Sequence, residues 1–238
     1  MTAASLVPGA LNFRDVGGLP AADRVTRSGV LFRSGNLAQI EEDGTAALRG
    51  IGLRRIIDLR DDDEVRISPS RVEGLDLQTQ RVPLFLGSIA SFFERDASLD
   101  EFYQALVDDS APQILEVVRG ILADQPVLVH CTVGKDRTGV TVALTLAAAG
   151  VDEDAVVADY ARTETMLPEE RNRAIIERLR VRHPDAVHLV DLTTRSPAPV
   201  MRGMLDGLTA QYGAPVEYLR SLGLTDDELT ELRSILIS

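Results

Sequence analysis

Pro126-Val-Leu-Val-His130 is a short apolar run, and after a polar, glycine-containing turn a second apolar stretch runs from about Arg137 to Ala149. A strand that is apolar on both faces, leading directly into a helix that is apolar nearly all round, can bury itself only inside a helix-covered parallel sheet. This one βα unit therefore predicts an α/β fold with a central, mostly parallel sheet flanked by helices. Other segments fit the same plan. Gly29-Val-Leu-Phe-Arg33 reads as a strand, followed by a helix from about Gln39 to Arg49. Arg55-Ile-Ile-Asp-Leu59 reads as a buried strand and Leu77 to Leu86 as an extended segment. Ser98 with Glu101 is a capping-box pair opening a helix to about Val107. Ile114, Leu115, Val118, Ile121 and Leu122 give 111–123 helical periodicity. Asp152, Pro168 and Thr225 start further helices, the last ending near Ile237, so the second half (about 140–238) is expected to be largely helical and packed on the sheet.

At 238 residues, 45% hydrophobic and 26% charged, the chain suits one folded domain over 1–238. The longest apolar run, Val140 to Val151, is too short to span a bilayer. No basic residue precedes an apolar core in Met1 to Leu11, so no secretory leader is expected and a cytoplasmic location is. A net charge of −12 without a basic stripe argues against nucleic acid as a partner. One cysteine excludes an internal disulfide and a cysteine-rich zinc site, and His130, His183 and His188 leave little for another, so no metal is expected. Cys131 is that sole cysteine, and Lys135, four residues on, is the sole lysine among 25 cations. Arginine serves everywhere else, so position 135 selects for a compact ammonium.

Both fall in His130-Cys131-Thr132-Val133-Gly134-Lys135-Asp136-Arg137-Thr138-Gly139. A cysteine at the end of a central strand faces the unpaired N–H groups and positive dipole end of the next helix, which stabilise an anionic sulfur. The backbone of Thr132, Val133 and Gly134 can form an anion nest, Gly134 relieving its conformational demands. The planar fork of Arg137 matches two oxygens of a phosphate. Thr138 can donate its hydroxyl to the sulfur, and His130 can hydrogen-bond behind the loop.

This loop resembles the phosphate-binding loop of cysteine-dependent phosphatases, and its His-Cys-x-x-Gly-Lys-Asp-Arg-Thr-Gly form is similar to the PtpB-like bacterial tyrosine phosphatases. Asn12-Phe-Arg-Asp-Val-Gly-Gly18, Leu31-Phe-Arg-Ser34, Ile57-Asp-Leu-Arg60, Val157-Ala-Asp-Tyr160 and Tyr218-Leu-Arg-x-x-Gly223 extend the likeness over nearly the whole chain. The resemblance implies a protein tyrosine phosphatase-like fold and a phosphomonoester hydrolase working through a phosphocysteine, without a cofactor. It implies phosphorylated proteins or phosphoinositides as substrates, with Lys135 as a second cation for them. A catalytically silent phosphate-binding module and a persulfide sulfurtransferase are the competing readings.

With no tryptophan in the chain, a Trp-Pro-Asp acid loop is impossible. Asp136 is the favoured general acid, and Asp58, at a strand end, is an alternate acid or a group that holds Arg60 or Arg137 and orients the loop. Asp61-Asp-Asp-Glu64 is expected to be a solvated helix start. Arg14 and Asp15 are expected to pair, either beside the site or on the surface. Phe85, Phe92, Phe93, Phe102 and Tyr103 are either a pocket wall or core.

Overall fold

In the computed structural model, which describes residues 5–84 and 94–238, the sheet is mixed but mostly parallel. Its strands are β1 (Arg14–Asp15), β4 (Leu31–Ser34), β5 (Arg55–Asp58), β6 (Gln78–Arg81) and β7 (Val127–His130). They lie in the order β1-β4-β7-β5-β6, with β4, β7, β5 and β6 parallel and only the edge strand β1 reversed. A separate hairpin pairs β2 (Pro20–Ala21) with β3 (Arg24–Val25). The apolar run at 127–130 is central because both of its faces are buried. Val127 and Val129 enter the larger core with Leu31 and Ile57, while Leu128 enters the smaller one with Phe32 and Ile56. The extended segment expected at 77–86 is a strand only over Gln78–Arg81, and its last two residues lie outside the described region.

Helix α1 (Glu42–Ile51) covers the smaller core, starting three residues later than its periodicity suggests. The short α2 (Asp62–Ile67) follows β5, capped by Asp61 and Glu64 in a reciprocal box. The larger core lies under α3 (Leu99–Asp109), α4 (Ala111–Ala123), α5 (Asp136–Ala149) and α6 (Glu153–Ala161). After α7 (Thr163–Met166), α8 (Glu169–Arg182) and α9 (Leu189–Thr194), the helices α10 (Ala198–Tyr212), α11 (Pro215–Ser221) and α12 (Asp226–Leu236) return to that face. The expected boxes at Ser98/Glu101 and Thr225/Glu228 are both formed. Of the helices after β7, α5, α6, α9, α10, α11 and α12 supply side chains to the larger core, and the loop after β7 opens at the carboxyl ends of the parallel strands, where open α/β sheets hold ligands. No helix among the described residues is long and apolar enough to cross a membrane.

Candidate active site

Residues 131–135 fold as a tight cup because the outward carbonyls are captured from behind. The Thr132 carbonyl accepts from the backbone N–H of Asn36 at 3.1 Å and from its Nδ2 at 3.0 Å. The Val133 and Gly134 carbonyls accept from Asn12 Nδ2 at 3.2 and 2.9 Å, and the Gly134 carbonyl accepts also from Arg33 Nη2 at 3.0 Å. With those oxygens turned outward, the planar peptides aim the following N–H groups of Val133, Gly134 and Lys135 inward, which is the geometry of an anion nest. Gly134 is obligatory here. Its φ is +69°, and an added Cβ would lie 2.4 Å from the Ser34 carbonyl carbon and oxygen. Gly134→Ala should therefore lower unfolding free energy by about 2 kcal/mol or more, read as a drop in melting temperature.

Asn12 and Arg33 are held by a buried ion cluster. Arg14 Nε and Arg33 Nη1 donate to opposite oxygens of Asp159, at 2.8 and 2.7 Å. Arg14 Nη1 also donates to Asn12 Oδ1. The expected pair of Arg14 with Asp15 is not formed. Asp15 instead accepts the backbone N–H groups of Gly17 and Gly29, tying a turn, while Arg14 reaches the far helix α6. Burial pulls Arg14 down to about 10, with Arg33 adding to the shift and Asp159 opposing it. Burial alone would raise Asp159, but two guanidiniums hold it below the usual carboxylate range.

Cys131 is 2% exposed at the floor of a cleft of about 240 Å³ whose lining includes Thr132, Val133, Lys135, Asp136 and Arg137. Arg137 is held end-on by Glu64, with Nη1 2.6 Å from Oε2 and Nη2 2.7 Å from Oε1. Thr132 Oγ1 donates to the same carboxylate. Glu64 is therefore no solvated helix-start residue. While it closes the capping box of α2, it also steadies the guanidinium, whose Nη2 donates further to Thr132 Oγ1 at 3.3 Å. Burial lowers Arg137, but Glu64, Cys131 and Asp136 outweigh that and raise it above its ordinary value. Burial raises Glu64, yet the bonds from Arg137 and Thr132 bring it down from 4.5 to about 2. The folded value lies below the ordinary one, so Glu64 contributes stability fully present above about pH 4.5 and lost as pH falls towards 2. Glu64→Gln should accordingly destabilise at about pH 6, lose part of that effect by about pH 3, and converge on the parent chain only at about pH 2 and below, in denaturant titrations at each pH.

Lys135, expected as an open cation for substrate, is wholly buried and paired: Nζ donates to Asp136 Oδ1 at 2.6 Å and to the Arg195 carbonyl at 2.9 Å. Tyr103, a core residue, donates to the same Oδ1 at 2.9 Å and stands 2.7 Å from the Tyr160 hydroxyl. As Tyr103 has one hydrogen, Tyr160 donates to it. Burial and the adjacent Asp136 push Tyr103 well above its ordinary value and Tyr160 upward too, so both stay neutral donors. Asp58 lies behind the loop, not on the cleft wall. It accepts from Arg60 Nε at 2.9 Å and Nη2 at 2.7 Å, and Arg60 in turn ties Ser68 and Ser70. Burial raises Asp58 less than Arg60 and His130 lower it, so it stays ionised. His130, wholly buried and shifted down by desolvation, bonds through Nδ1 to the Cys131 carbonyl at 3.3 Å. Thr138 Oγ1 is buried with no partner among the described residues, so its expected bond to the sulfur is not formed here. Phe102 joins the cleft wall, whereas Phe85, Phe92 and Phe93 lie outside the described residues. Among the described residues no group of three or more His, Cys, Asp or Glu is placed to hold a metal ion.

A family model described as "Tyrosine phosphatase family" matches residues 6–238. The triple specificity protein phosphatase PtpB of Mycobacterium tuberculosis is 33% identical, over 97% of this chain and 98% of its own. A tyrosine-protein phosphatase of Nostoc commune is 30% identical over 84% of this chain and 72% of its own. Among solved structures, TpbA of P. aeruginosa overlaps 72% of this chain and 88% of its own with 18% identity and a TM-score of 0.39.

Proposed function

The chain belongs to the tyrosine phosphatase family and is a phosphoric monoester hydrolase, and from that premise we propose how its residues divide the work. Cys131 Sγ attacks phosphorus in line; the S–P bond forms as the bond to the leaving oxygen breaks. The N–H groups of Val133, Gly134 and Lys135, with the guanidinium of Arg137, hold the three equatorial oxygens where charge develops. Asp136 gives its proton to the leaving oxygen, then takes one from a water that attacks the phosphocysteine, releasing phosphate and restoring the sulfur. Lys135 and Thr132 fix the acid and the guanidinium, while Asp58, Arg60, His130 and Arg14 hold the loop from behind. Thr138 remains the group to stabilise the departing sulfur.

The observation that carries this reading is the cup itself: the Thr132, Val133 and Gly134 carbonyls are tied outward beside a cleft that Cys131 and Arg137 both line, with the guanidinium held end-on by Glu64. The substrates are phosphorylated proteins, with phosphoinositides as the second class, acted on in the cytoplasm by one phosphatase domain spanning 1–238. Acid quenching during turnover of a ³²P-labelled phosphotyrosine peptide should leave label on the peptide containing Cys131. Steady phosphate release with no label at that residue would overturn the covalent route.

A further inference from the structure

Each cation of the cleft floor has its own carboxylate: Arg137 has Glu64 and Lys135 has Asp136. Arg171, in the first turns of α8, lines the same cleft and is not so matched. It forms no ion pair among the described residues; the one bond recorded for it runs from Nη1 to Asn172 Oδ1 at 3.0 Å. Burial lowers it with no acid to compensate. A partly desolvated guanidinium costs stability that an uncharged residue of similar size would not, and an anion arriving from outside would offset that cost. Its position supports this. Ile175 and Leu179 follow at i+4 and i+8 and line the cleft too, so Arg171 belongs to the stripe of α8 that faces the sulfur.

We propose that Arg171 is a specificity-determining residue that binds an acidic side chain flanking phosphotyrosine in the substrate. This rests on the phosphatase reading above. The cleft is lined on its apolar side by Phe102, Ile175, Leu179 and Leu192, surfaces that suit an aryl ring better than the hydroxyls of an inositol. The protein's overall charge of −12 repels an acidic peptide at a distance, so preference for one has to come from a local cation.

The test compares phosphotyrosine peptides that differ only in Glu against Gln at the positions either side of the phosphorylated residue. Wild type should favour the Glu peptides in kcat/KM by roughly tenfold; Arg171→Gln should bring that ratio close to one, and Arg171→Lys should retain part of it. The same ratio is read as binding by anisotropy on the Cys131→Ser background. Selective binding there with no turnover by the parent enzyme would support this proposal while sinking the proposed function. Equal handling of Glu and Gln peptides by wild type, or a preference that survives Arg171→Gln, would overturn it. So would a loss confined to vesicles containing phosphatidylinositol bisphosphate, which would assign Arg171 to a lipid headgroup instead.

Discussion

Cys131→Ser should cut turnover of p-nitrophenyl phosphate by about 10⁴-fold or more while leaving the site able to bind inorganic phosphate or vanadate. A serine hydroxyl needs a base to remove its proton; among the described residues neither His130 nor Glu64 is placed to do so, and Asp136 has to stay protonated as the acid. The neighbouring imidazole of His130 is turned towards the Cys131 carbonyl behind the loop, and Glu64 is committed to Arg137 and Thr132. Sulfur needs no such partner, because a thiol gives up its proton far more readily than a hydroxyl. Anion binding should persist since the cup does not depend on the sulfur. Its carbonyls are pinned by Asn12, Arg33 and Asn36, and its guanidinium by Glu64. Steady-state kinetics together with a phosphate titration measure both quantities. Turnover within tenfold of the parent chain would exclude the sulfur as nucleophile.

What could be read from the amino-acid order is what is written locally. The βα unit at 126–149, the boxes at Ser98/Glu101 and Thr225/Glu228, and the Cys131-to-Arg137 loop each depend on residues within a few positions of one another. The parts that escaped join distant segments. Asp159 gathers Arg14 and Arg33 from strands far earlier in the chain, and only β1 lying beside β4 under α6 brings the three together. Asn12 has φ +55°, a conformation asparagine tolerates, and from it spans to two loop carbonyls. Val157-Ala-Asp-Tyr160 and Asn12-Phe-Arg-Asp15 supported the family resemblance, but nothing in them says that they meet. Glu64 was hidden for another reason. It satisfies a helix-start pattern and does cap α2, so the local explanation was sufficient without the second role it has at Arg137. Lys135 shows the converse: its uniqueness marked the position, but whether its ammonium faces ligand or Asp136 depends on the Arg195 carbonyl, which belongs to the segment after α9.

Asp136→Asn should lower kcat/KM for phenyl phosphate by about 10²–10³-fold and for p-nitrophenyl phosphate by only a few-fold, because only the poorer leaving group needs a proton as its bond breaks. The local bonding says which oxygen delivers it. Oδ1 already accepts from Lys135 Nζ and from Tyr103, whose own hydrogen is committed because Tyr160 donates to it. A proton on this carboxyl therefore resides on Oδ2, the oxygen with no bond recorded among the described residues and the one left for the cleft. An asparagine must turn its carbonyl oxygen towards Lys135, since its NH₂ would oppose an ammonium. The amide nitrogen then sits where Oδ2 was, a group that can donate a hydrogen bond but cannot transfer a proton. Asp58→Asn provides the contrast: by loosening Arg60 behind the loop it should slow both substrates alike. Equal losses on the two substrates for Asp136→Asn would remove it as the acid, and a leaving-group-dependent loss for Asp58→Asn would move that role behind the loop.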